Sequence, residues 1–99
     1  MTVPSASSAA ARGVVRLLNT AGGRTLCLAG AVDAGAVEAF VRRYGREPAR
    51  VETIDARSVT SLSGAALELV RDHLDVADLQ GRPVALRRSP ALDRLFGDR

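Results

Sequence analysis

The apolar positions change period along the chain, and each change marks an element. Gly13 to Leu18 is a run of mostly apolar residues that reads as a strand. Asn19 to Gly23 carries two glycines and suits a hairpin turn, after which Arg24 to Ala29 reads as a second, antiparallel strand. Gly30 is expected to end that strand. Asp33 then stands where a carboxylate caps the free amides of a helix, and Val37, Phe40, Val41 and Tyr44 follow at i, i+3, i+4, i+7, one helical face. Gly45 supplies a left-handed stop, with Arg42 and Arg43 at the negative end of the helix dipole.

Beyond Pro48 the segment Arg50 to Asp55 predicts a strand on Val51 and Ile54. A polar stretch with Ser58, Thr60, Ser61 and Ser63 reads as a loop leading to Gly64. From there a long helix is predicted to about Leu79, with Ala66, Leu69 or Val70, Leu74 and Ala77 inward and Glu68, Arg71, Asp75 and Asp78 outward. Arg71 and Asp75 are spaced to pair across one turn, and His73 is expected near the helix boundary with its ring satisfied. Gly81 closes the helix and Pro83 to Leu86 predicts a further strand. Ser89 and Pro90, an N-cap followed by proline at the first helical position, open a last short helix with Ala91, Leu92, Leu95 and Phe96 on its apolar face; Gly97 ends it. The order strand, strand, helix, strand, helix, strand, helix predicts an α/β domain. Its mixed, mostly parallel sheet has about four to five strands and right-handed crossovers. Residues 1–11, rich in Ser and Ala, read as a flexible leader, and residues 12–99 as one domain.

Composition narrows the chemistry. At 46% hydrophobic and 25% charged, the chain suits a folded globular protein, and 3% aromatics means a core of Leu, Val and Ala. The net charge is +3 and all 14 basic residues are arginine, scattered among acids as in Arg71-Asp72 and Asp93-Arg94. No basic run is interleaved with aromatics, so nucleic-acid binding is not expected. Cys27, between Leu26 and Leu28, reads as a small buried hydrophobe, and the lone His73 has no neighbours for a metal site. No second His, motif-held carboxylate pair or phosphate-cradling glycine loop is present, so neither catalysis nor a cofactor is expected. Without a basic and apolar leader or a long apolar run, the reading is cytoplasmic, with no membrane insertion.

Several motifs line up with a known family. Leu28-Ala29-Gly30-Ala31-Val32-Asp33 resembles the strand-to-helix signature of the STAS domain of bacterial anti-sigma factor antagonists, with Ala31 in place of the usual acid. Ile54-Asp55 followed by Ser58-Val59-Thr60 is similar to its third strand and regulatory loop. Gly81 to Leu86, then Ser89 to Phe96, is similar to its last strand and helix. The resemblance covers roughly residues 13–97. It implies a non-enzymatic domain that binds a histidine-kinase-like anti-sigma factor and is released when a serine before a conserved Gly is phosphorylated. Aligned on Gly64, Ser61 falls at the family's Asp, Leu62 at the phosphoacceptor and Ser63 at the position after it. The acceptor is therefore Ser61 or Ser63, or the switch is absent.

The partner-binding residues that the resemblance implies are Asp33, Asp55, Ser58, Thr60, Ser61, Leu62, Ser63 and Gly64. Each has a plainer reading beside it: Asp33 and one of the serines as helix caps, Asp55 as an anchor for local amides. An alternative implied by Leu62 is a constitutive subunit similar to the STAS proteins that brace the ATPase of lipid-transport ABC complexes. A module binding a nucleotide or other small ligand is a third.

Overall fold

The computed structural model describes residues 13–21 and 23–96. The leader expected over residues 1–11 and the stop at Gly97 lie outside them. The elements in chain order are β1 (Val14–Thr20), β2 (Gly23–Val32), α1 (Ala34–Tyr44), β3 (Thr53–Leu62), α2 (Gly64–Leu79), β4 (Ala85–Arg87) and α3 (Pro90–Phe96). The sheet has four strands in the order β1-β2-β3-β4, with β1 antiparallel to β2 and the other pairs parallel. This is the α/β domain with a mixed sheet that the element order predicts, at the lower strand number.

The hairpin register runs from Val14 opposite Ala29 to Thr20 opposite Gly23. Its closed end is held by Glu52, whose carboxylate accepts from the Arg24 N–H at 2.7 Å while its own N–H donates to the Arg24 carbonyl at 2.9 Å. Gly23, at φ +118°, packs so close to the Glu52 side chain that a β-carbon would collide with it.

Two strands run further than their sequences suggest. Gly30 does not end β2: it adopts φ +78°, open to a residue without a β-carbon, and the strand continues through it to Val32. Likewise the polar stretch after Asp55 is not a loop but the second half of β3. Ala29 pairs with Ser58, Gly30 with Val59, Ala31 with Ser61 and Val32 with Leu62, and β3 takes up an extra residue at each of two register shifts. Val59 is buried while Ser58, Thr60 and Ser61 are exposed, so the serines are the outward positions of a strand.

Alternation along β2 splits the sheet into two faces. Leu26, Leu28 and Val32 point inward with Val15, Ile54, Ala56 and Val59, and join Phe40, Ala66, Leu69, Val70, Ala91 and Leu92 in one core. Residues of α1 and α2 both join this core, and the two helices pack on each other over this face. Both Leu69 and Val70 are buried, so α2 turns a broader face inward than one alternative alone would give.

The ends of α2 are well determined. At its carboxyl end Arg82 N–H donates to the Ala77 carbonyl and Gly81 N–H to that of Asp78, with Gly81 at φ +67°: the Schellman pattern. Ser89 caps α3, its hydroxyl accepting from Leu92 N–H at 3.2 Å.

Two side chains depart from expectation. His73 lies well inside α2 on its buried face, not at a helix boundary. Leu95 is 46% exposed, whereas Ala91 and Leu92 of the same short helix are buried. The ion pairs among the described residues are Arg57–Asp55 and Arg88–Asp93, with Arg71 and Asp75 on the exposed side of α2.

Candidate functional site

At the carboxyl ends of β2 and β3 the chain turns twice into a helix, and the two turns are tied together. Asp33 begins α1, its Oδ1 accepting from Ala36 N–H at 2.9 Å. Ser63 begins α2 in the same way, its Oγ accepting from Ala66 N–H at 3.2 Å. The Ser63 N–H donates to the Val32 carbonyl at 2.9 Å, prolonging the β2–β3 ladder by one bond and holding the two caps next to each other. Two helix amino termini therefore open at one edge, where first-turn N–H groups lack partners within their own helices.

The sequence candidates distribute unevenly over this edge. Asp33, Thr60, Ser61 and Gly64 are exposed on it, and Ser63 is half-buried as the cap. Nothing in the fold needs glycine at position 64, because a β-carbon there would meet no atom within 4 Å. Leu62 is half-buried against the core opposite Val32, so it is not the exposed apolar feature of a docking loop. Ser58 and Ser61, paired with Ala29 and Ala31, lie on the sheet face away from α1 and α2. Ser63 bears out the plain capping reading. Ser63→Ala should therefore cost about 1 kcal/mol of stability, read as a lower urea midpoint; an unchanged midpoint would mean that the cap contributes nothing.

Asp55 stands apart from this edge, near the middle of β3. Its carboxylate takes Arg57 Nε on Oδ1 at 3.1 Å and Nη2 on Oδ2 at 3.0 Å, and Oδ1 also accepts the Arg57 backbone N–H at 3.2 Å. These bonds, the guanidinium's first, hold the Asp55 carboxyl below the usual carboxylate range. The anchoring role stated for Asp55 is thus the one its geometry displays.

Register also assembles residues that sequence reasoning passed over. Arg16 pairs with Cys27, Cys27 with Asp55 and Asp55 with Arg87, one row across all four strands on the face away from α1 and α2. Cys27 is half-exposed there rather than buried like its neighbours Leu26 and Leu28. Partial burial, and next the Asp55 carboxylate, push its thiol up, while Arg16 and Arg57 oppose the shift. Only pairing partners put these residues in one line, so the strand pattern of any single segment held no signal for them.

Among the described residues no cluster of three or more His, Cys, Asp or Glu is placed to hold a metal ion, and no helix is long and apolar enough to cross a membrane. Compared with known proteins, the chain matches no family model, no curated protein and no solved structure.

Proposed function

We propose that the chain is a STAS-type docking domain acting as an anti-sigma factor antagonist, without catalysis of its own. The edge formed by Asp33, Thr60, Ser61, Ser63 and Gly64 binds a histidine-kinase-like anti-sigma factor, and the sigma factor is released into transcription. The observation that carries this reading is an exposed serine hydroxyl, Ser61, beside two helix amino termini locked together through Ser63 and Val32. Of the two serine candidates, Ser61 suits modification better. The Ser63 oxygen already accepts a helix amide, whereas the exposed Ser61 side chain is free of that role.

A phosphate on Ser61 adds about −1.5 to −2 charges to an edge that already presents the Asp33 carboxylate. A partner surface shaped for a neutral hydroxyl then has to desolvate and repel that charge. Ser61→Asp, a weaker mimic, is expected to reduce affinity for the partner at least tenfold. Gly64→Leu, whose β-carbon meets no atom within 4 Å, is expected to block docking while leaving the thermal midpoint nearly unchanged.

The test is affinity capture with the tagged chain from its native lysate, with and without ATP, reading partners and modified peptides by mass spectrometry. An anti-sigma kinase retained without ATP and released with it, with phosphate on Ser61, supports the reading. An ABC ATPase held regardless of ATP on an unmodified edge replaces it with the constitutive-subunit alternative.

A further inference from the structure

Parallel strands are usually covered on both faces, because their crossover helices supply two outer layers. Here α1 and α2 cover one face, while among the described residues the other is accessible. On it Val14 and Leu18 are 39% and 38% exposed, Arg16, Arg57 and Arg87 are exposed, and Cys27 and Ala29 are half-exposed. A hollow of about 400 Å³ lies there, lined by residues including Leu18, Thr25, Cys27, Thr53, Arg57 and Arg87.

The charge on this face is one-sided. Among the described residues three arginines stand against one carboxylate, Asp55, which is already engaged by Arg57. Arg16 and Arg87 sit at opposite ends of the row that passes through Cys27 and Asp55. Three strand spacings separate them, about 14 Å. At a rise of about 1.5 Å per residue, that is two and a half to three turns of α-helix.

We propose that this bare face of the sheet docks an amphipathic helix of another protein, one carrying acidic side chains two to three turns apart beside an apolar stripe. The acids meet Arg16 and Arg87 at the ends of the row, with Arg57 alongside, and the stripe covers Leu18, Val14, Cys27 and Ala29. A nucleic acid suits the face less well, since no aromatic side chain from the described residues lines the hollow and a carboxylate sits at its centre. The inference stands independently of the anti-sigma reading, whose binding edge lies at the ends of β2 and β3.

The probe is a synthetic 18-residue helical peptide with Leu on one stripe and Glu flanking it, and a twin with Lys in place of every Glu. Each is titrated into the isotope-labelled full chain, following backbone amide signals. The Glu peptide is expected to shift the amides of Arg16, Cys27, Asp55 and Arg87 and to slow alkylation of Cys27 severalfold. Arg57→Glu and Arg87→Glu should each weaken it at least tenfold, both being exposed positions that leave the core intact. Equal binding of the Lys twin, shifts confined to another surface, or no binding overturns the proposal. So does stronger binding of a 15-nucleotide oligothymidine at the same residues, self-association that protects Cys27 without peptide, or contacts from residues 1–12 of this chain to Cys27 in the free protein. The peptide arms use purified chain and no anti-sigma factor, so their failure is distinct from failure of the functional reading.

Discussion

His73→Ala is expected to lower the stability of the domain by about 3 kcal/mol, which for a chain of this size moves the thermal midpoint down by roughly 12–24 °C. His73 is 2% exposed and uses both ring nitrogens. Nδ1 lies 2.9 Å from the Leu69 carbonyl and so carries the proton, which leaves Nε2 to accept the Ala49 N–H at 3.1 Å. The ring thus fastens α2 to the segment that leads into β3, and stands edge-on to Phe40 of α1 with centroids 6.4 Å apart. Truncation to Ala opens a cavity between these elements and strands the Ala49 amide. His73→Leu fills most of the space but still leaves the amide unpaired, so it should cost less, about 1–2 kcal/mol.

The same contacts make His73 the source of a pH dependence. Burial pushes its basicity below that of a free imidazole, outweighing the opposing effects of the Leu69 carbonyl and the Asp72 charge. The unfolded chain therefore takes up a proton below about pH 6.5, while the folded chain resists until a lower pH. Stability is full above the unfolded value and falls as the pH drops from about 6.5 toward the folded one. His73 is the only histidine in the chain, so few other groups titrate in this window. Urea midpoints of the wild type should fall from pH 7.5 to pH 5.5, and those of His73→Leu should stay nearly level. Parallel slopes in the two proteins would assign the dependence to another group.

What the sequence allowed to be read, and what it hid, follows from how each element is stabilised. The helices were legible because their ends are marked by local chemistry. Asp33, Ser63 and Ser89 are caps whose partners lie three residues on, and Gly45 and Gly81 stop the helices in backbone conformations that favour glycine. The outer half of β3 was not legible, because Ser58, Thr60 and Ser61 have the composition of a loop. Only the burial of Val59 and the register with β2 make that segment a strand. Cys27 misled for a related reason. Between two leucines it resembles a core residue, yet strict alternation puts it on the opposite face from both. Of the candidate site, the capping roles of Asp33 and Ser63 were readable locally. The bond that joins them, from Ser63 to Val32, depends on a parallel pairing across about thirty residues of chain, which no local pattern encodes.

That pairing is also where the second large loss is expected. Ile54 is fully buried at the centre of the sheet, opposite Leu26 on β2 and Leu86 on β4. Ile54→Ala should cost about 3–4 kcal/mol, the transfer free energy of three lost carbons plus the cavity that close-packed neighbours do not fill. A domain of this length has roughly 5–15 kcal/mol in all, so the variant is left marginal. Ile54→Val removes one methylene and should cost about 1 kcal/mol. Because neighbouring residues on a strand point to opposite faces, neither change touches the Asp55–Arg57 pair next to it. Conversely, Asp55→Asn loosens Arg57 on an exposed face and should cost under about 1 kcal/mol, since the guanidinium side is 60% exposed. Chemical denaturation of the three variants separates the faces: a large loss for Ile54→Ala, a small one for Ile54→Val and a smaller one for Asp55→Asn. If Asp55→Asn proved as damaging as Ile54→Ala, the face bearing Arg16, Arg57 and Arg87 would be part of what holds the sheet together. It would then not be a surface free to receive a partner.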